Sequence, residues 1–120
     1  MNKPTRFYSR LQEKEVAKKL KGKTTANSGA TVFYKGDVVT EDWCIECKTA
    51  TEAKASMSIK REWFQKLREE AFGTGKSYSA LVFNYGPGTD NHYVIDEKTF
   101  RRMMELFEKE DNNEGWQKPW

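Results

Sequence analysis

The sequence predicts an α/β fold, a small mixed β-sheet flanked by helices in the order α-β-β-β-α-β-β-α. Two observations carry this expectation. Apolar residues recur at helical spacing in segments 8–21, 58–73 and 96–107. Short β-prone runs bounded by turn residues fill the intervals between them. A length of 120 residues then allows one domain with one hydrophobic core, and not two.

Residues 8–21 read as the first helix, because Val16, Ala17 and Leu20 share a stripe that also carries Glu13. Glu15, Lys18 and Lys19 lie off that stripe and should face solvent. Gly22 is expected to close the helix, after lysines that suit the negative end of its dipole. Residues 24–30, with Asn27-Ser28-Gly29, form a polar linker. Thr31–Tyr34, Asp37–Thr40 and Trp43–Lys48 are three β-prone runs, the last two joined by a turn at Glu41-Asp42, and they predict a meander. A loop over 49–55 leads to Ser58, the expected N-cap of a second helix. Its stripe is Trp63, Phe64, Leu67 and Ala71, and it ends near Gly73-Thr74-Gly75. Ser79–Phe83 is a buried strand, and His92–Ile95 returns from a turn at Gly86-Pro87-Gly88. Asp96 caps a last helix whose Phe100, Met103, Met104 and Phe107 stripe is expected to be core. Residues 1–109 make up the domain, and 110–120 read as a flexible tail in which Trp116 and Trp120 stand out.

Composition narrows the function. No stretch approaches the roughly 20 apolar residues of a membrane span, and Met1-Asn2-Lys3-Pro4 opens no signal peptide, so the expected location is cytoplasmic. The net charge is only +3, but it is unevenly spread. Residues 1–23 hold Lys3, Arg6, Arg10, Lys14, Lys18, Lys19, Lys21 and Lys23 against Glu13 and Glu15. The far end is acidic, with Glu105, Glu108, Glu110, Asp111 and Glu114. A basic front half suits a phosphate-rich partner, although a solvated helix face has the same composition. Cys44 and Cys47 form a CxxC, but on a strand their side chains point to opposite faces and cannot share a zinc ion. The one histidine, His92, cannot furnish a two-histidine nuclease site, and no GxxxxGK[ST] is present to bind a nucleoside triphosphate.

The chemistry lies in Gly36-Asp37 followed by Glu46-Cys47-Lys48. On a strand, Glu46 and Lys48 share one face while Ile45 and Cys47 take the other. Two carboxylates offer the hard oxygens that Mg²⁺ takes, and an ammonium beside them favours hydroxide over water. That combination is suited to phosphodiester hydrolysis. The plainer alternatives are that Asp37 is a turn residue and that Glu46 and Lys48 are a cross-sheet ion pair on an exposed face.

The arrangement resembles the PD-(D/E)XK nuclease superfamily, with Gly36-Asp37 where that pattern has Pro-Asp, and Glu46-Cys47-Lys48 as its second half. Within it, the chain is most similar to the archaeal-type Holliday junction resolvases and their phage-encoded relatives. Three segments carry the likeness: Gln12-Glu13-Lys14-Glu15-Val16-Ala17, then Asn27-Ser28-Gly29-Ala30, then Lys35-Gly36-Asp37-Val38 with Ile45-Glu46-Cys47-Lys48-Thr49. The polar segment between Lys48 and Ser58 departs from the pattern.

The resemblance implies a restriction-endonuclease-like core and a catalytic set of Glu13, Asp37, Glu46 and Lys48. Asp37, Glu46 and the Cys47 backbone carbonyl would hold Mg²⁺, with Mn²⁺ as a substitute, and Glu13 would complete the shell directly or through water. It further implies branched DNA as substrate and a homodimer, since a four-way junction is cut on two strands. Ser28, with Asn27, would touch that substrate. Arg10, Lys14, Lys18, Lys21, Lys23 and Arg61 would track its phosphates. Two other readings remain open: a repair, replication or restriction-like nuclease acting on other DNA, and an inert nuclease-like module that only binds DNA. If the gene is phage-borne, the cytoplasm is the host's.

Overall fold

The computed structural model describes residues 3–25, 37–114 and 117–120. The strand expected at Thr31–Tyr34, the linker residues Asn27 and Ser28, and Gly36 and Trp116 lie outside them. The elements are α1 (Thr5–Leu20), β1 (Lys23–Thr24), β2 (Val38–Val39), β3 (Trp43–Lys48), α2 (Arg61–Gly73), β4 (Tyr78–Phe83), β5 (His92–Val94) and α3 (Glu97–Glu114). The five strands form one sheet in sequence order. Neighbours are antiparallel except β3 and β4, which run parallel with α2 as their crossover, so the sheet is mixed as expected.

Each face of the sheet carries a helix. Val16 and Ala17 of α1 pack on Val38, Ile45, Ala80 and Val82. On the opposite face Leu67 and Ala71 of α2 pack on Cys44 and Leu81. Strand alternation therefore sends Cys44, Glu46 and Lys48 toward α2, and Ile45 and Cys47 toward α1. The face assignment of Glu46 and Lys48 expected from the sequence is the one observed. Among the described residues, no helix is long and apolar enough to cross a membrane.

Several local expectations are corrected. The left-handed residue that ends α1 is Lys21 (φ 56°), not Gly22. Gly22 is small for another reason: a Cβ there would lie 2.6 Å from the Val39 carbonyl oxygen, where β1 folds back along β2. β1 occupies part of the expected polar linker. Ser58 does not cap α2; the chain stays extended through Lys60, which delivers Ile59 to the apolar layer beneath the helix. The other end of α2 lies as expected, with the Thr74 hydroxyl donating to the Glu70 carbonyl at 2.8 Å.

Asp96 does cap α3, its carboxylate accepting from the Thr99 N–H at 2.8 Å. The helix runs on to Glu114, so 110–114 are helical and not tail. Strong helix formers, with Glu105 and Lys109 one turn apart, carry it past the domain. Its stripe is not core: Phe100 and Phe107 are 54% and 55% exposed, and Met104 is exposed as well. An apolar cavity of about 370 Å³ opens on the α1 face of the sheet, lined by Leu20, Trp43, Ile45, Tyr93, Ile95 and Met103 among others.

Candidate active site

The site forms where β2 enters the sheet beside the C-terminal end of β3. Asp37 precedes β2 and is tied to β3 twice. Its N–H donates to the Ile45 carbonyl at 2.9 Å. Its carboxylate accepts from the Cys47 N–H at 2.8 Å. These bonds bring the Asp37 carboxyl beside that of Glu46, close enough for the two to share a proton. The Lys48 ammonium lies 3.7 Å from the Glu46 carboxylate and 4.3 Å from the centre of the Trp63 ring on α2. An acid on one side and an aromatic face on the other hold the lysine over the carboxylates. Two carboxyls and one ammonium thus converge on the α2 face, as the D…ExK spacing suggested.

Burial acts most strongly on both acids. Glu46 is pushed up to about 7, first by desolvation and then by the Asp37 charge, with Lys48 pulling the other way. Asp37 is also raised by burial, against the Cys47 N–H and the Lys48 charge, which favour its ionised form. The pair therefore holds a proton well into the range where isolated carboxyls are ionised. A bound cation would replace that proton and relieve the same repulsion. Burial also raises the Cys44 thiol, to about 12, and the Cys47 thiol, so neither sulfur is a ready thiolate ligand at neutral pH.

Glu13 approaches from the other side. It projects from α1, half-buried, where the Asp37 charge acts on it and its own charge acts on Cys47. Burial raises its carboxyl, and Arg10 and Arg6 partly offset this. Among the described residues, no three carboxylate, thiol or imidazole groups gather in a geometry to hold one metal ion. The structure thus brings Asp37, Glu46 and Lys48 together and sets Glu13 at the margin, because α1 and α2 cover opposite faces. The expected DNA contacts Arg10, Lys14, Lys18, Lys21, Lys23 and Arg61 are all exposed. Of these, Arg10 lies close enough to influence Glu13.

Several residues with a part in the site were not singled out from the sequence. Gln12, 3% exposed, donates to the Lys48 carbonyl at 3.2 Å and to the Asn91 side chain at 3.3 Å, fixing the end of β3. Asn84 accepts from the Ala50 and Gly86 N–H groups at 3.1 and 3.2 Å and donates to the Thr49 hydroxyl, so the chain leaving Lys48 is pinned to the end of β4. From α2, Lys66 acts electrostatically on both Asp37 and Glu46, and Glu70 acts on Glu46. Glu70 follows Trp63 at seven positions, on the stripe of α2 that faces the sheet, while Lys66 lies at its exposed edge.

The donor set fits a hydrated Mg²⁺. That ion takes oxygen ligands, is commonly held by one or two carboxylates, and keeps several of its waters. Asp37 and Glu46 supply two carboxyl groups of that kind. Comparison of the chain with family models, curated proteins and solved structures finds no match, so the fold and this geometry stand as the ground for a functional reading.

Proposed function

We propose that this chain is a Mg²⁺-dependent DNA endonuclease of the PD-(D/E)XK type, with a restriction-endonuclease-like core and branched DNA, in the first instance a four-way junction, as its substrate. The observation that carries the reading is the convergence of Asp37, Glu46 and Lys48 on one sheet face, with the lysine held between a carboxylate and an indole.

Asp37, Glu46 and the Cys47 carbonyl would hold the metal, with Glu13 reaching it through water from the α1 side. The bound cation supplies Lewis-acid polarisation of the phosphate and an acidified water. Lys48 orients that water by hydrogen bonding and offsets the charge that builds on the phosphate oxygens. Gln12 keeps the lysine's backbone in register. Arg10, Lys14 and Arg61 contact phosphates on either side without reading sequence. Lys18, Lys21 and Lys23 extend that basic track through the end of α1 into β1. A homodimer would supply the second active centre that a junction needs, and the exposed stripe of α3 offers apolar surface for it.

The test is incubation of purified protein with Mg²⁺ and a four-way junction, a flap or a linear duplex of matched sequence. Paired symmetric nicks on the junction, with the linear duplex left intact, are expected. Cleavage of the duplex at a similar rate would move the assignment to a repair or restriction-like nuclease. The alternative reading is an inert nuclease-like module that only binds DNA. Calorimetric titration with Mg²⁺ separates the two, since an inert module takes up no metal.

A further inference from the structure

Beside Lys48, on the same face of the sheet, stands an aromatic cluster that the hydrolytic chemistry does not use. Lys48 of β3 pairs with Phe83 of β4, and Phe83 pairs with His92 of β5. The three side chains therefore form a row on the α2 face at the end of the sheet where the carboxylates lie. Tyr85, two residues beyond Phe83, closes the group. The Phe83 and His92 rings are 5.5 Å apart and tilted by 32°. Tyr85 meets each of them edge-on, at 5.4 and 5.5 Å. His92 is exposed and the other two are half-buried, so part of the cluster faces solvent. With neighbouring strands about 4.8 Å apart, His92 sits about 10 Å from Lys48 across the sheet. Trp63 and Lys60, whose ammonium is 5.8 Å from the Trp63 ring, bound the site on its α2 side.

Cross-strand aromatic contacts stabilise a hairpin, and that role alone is met by burying the rings. Here the rings stay partly open, and they stand next to the cation that would neutralise a phosphate. Exposed aromatic faces interleaved with lysines are what single-stranded nucleic acid recognises: the backbone follows the charges and the bases stack on the rings. A paired base in an intact duplex has both faces covered by its neighbours and cannot use such a surface.

We infer that Phe83, Tyr85 and His92 form a stacking subsite for an unpaired DNA base adjacent to the phosphate held at Lys48. This rests on the nuclease reading for the location of that phosphate. It deepens that reading by making unpaired bases, such as those at a branch point or flap, the feature that selects the substrate. The segment 49–55 contributes by holding Tyr85 in place, since the Lys54 N–H donates to the Tyr85 carbonyl at 2.8 Å.

The inference is tested by binding in Ca²⁺, where a magnesium nuclease does not turn over, using the full chain. Fluorescence anisotropy would compare a labelled duplex bearing a single-stranded flap with a fully paired duplex of equal length. The flap should bind more tightly to the wild type, by about tenfold or more for a stacked base. His92→Ala and Tyr85→Ala should lose that preference while keeping duplex affinity, and Tyr85→Phe should retain it. A 2-aminopurine at the branch should be quenched by the wild type and not by the alanine variants. Equal weakening on both DNAs, or an unchanged preference, would overturn the inference. Flap-selective binding by a protein that cuts nothing in Mg²⁺ would uphold the subsite and remove the nuclease reading.

Discussion

Glu46 sets the residue-scale behaviour, because its carboxyl titrates near neutrality. A carboxyl raised in the folded state keeps a proton that the unfolded chain has already released. Its contribution to stability is therefore complete below the unfolded value of 4.5 and is lost as pH rises through about 7. Asp37 is raised as well and acts in the same sense. The metal-free protein should melt at a lower temperature at pH 8 than at pH 5, and Glu46→Gln should flatten much of that slope in calorimetric scans. Saturating Mg²⁺ should recover the alkaline loss in the wild type and not in the variant. The acid pair and the lysine were legible in the sequence because strand alternation fixes which face each side chain takes. The raised pKa values were not, since they depend on burial in the folded sheet, which outweighs the opposing Cys47 N–H bound to Asp37.

Trp43–Lys48 is the element best specified by its own residues, and its observed bounds coincide with those expected. Alternation is clear there, whereas β1 is two residues long and leaves no period to detect. The connections between elements are harder to read. Asn84 secures the chain after Lys48 through partners 34 and 35 residues away, and no local pattern announces such contacts. Asn84→Ala should strand the buried Ala50 and Gly86 N–H groups and lower stability by about 1–3 kcal/mol in urea unfolding. Because the same bonds fix the exit from β3, cleavage by this variant should fall more than its DNA affinity. The helical period of α3 was equally plain, but it identifies an apolar stripe without saying what covers it. Phe107→Glu should leave the domain folded and dissociate the expected dimer, as read by sedimentation velocity.

At the scale of the whole molecule, the architecture follows from two helices covering opposite faces of a five-stranded sheet. That layering gathers Asp37, Glu46 and Lys48 on the α2 face, keeps Glu13 across the sheet, and leaves the α3 stripe open. The helices, β2 to β5 and the mixed sheet were readable from periodicity and turn residues, because those signals are local, whereas β1 formed in the expected linker and the strand expected at Thr31–Tyr34 lies outside the described residues. The side from which Glu13 approaches was not readable, because it depends on which face α1 covers. The central claim is that Asp37, Glu46 and Lys48 form a metal-dependent hydrolytic centre. Its most direct measurement is the rate of four-way junction cleavage in Mg²⁺ by the wild type, Asp37→Asn and Lys48→Met, with junction binding measured in parallel. Cleavage by the wild type alone, with binding preserved in both variants, is the result this account predicts. Undiminished cleavage by either variant, or none by any of the three proteins, would contradict it.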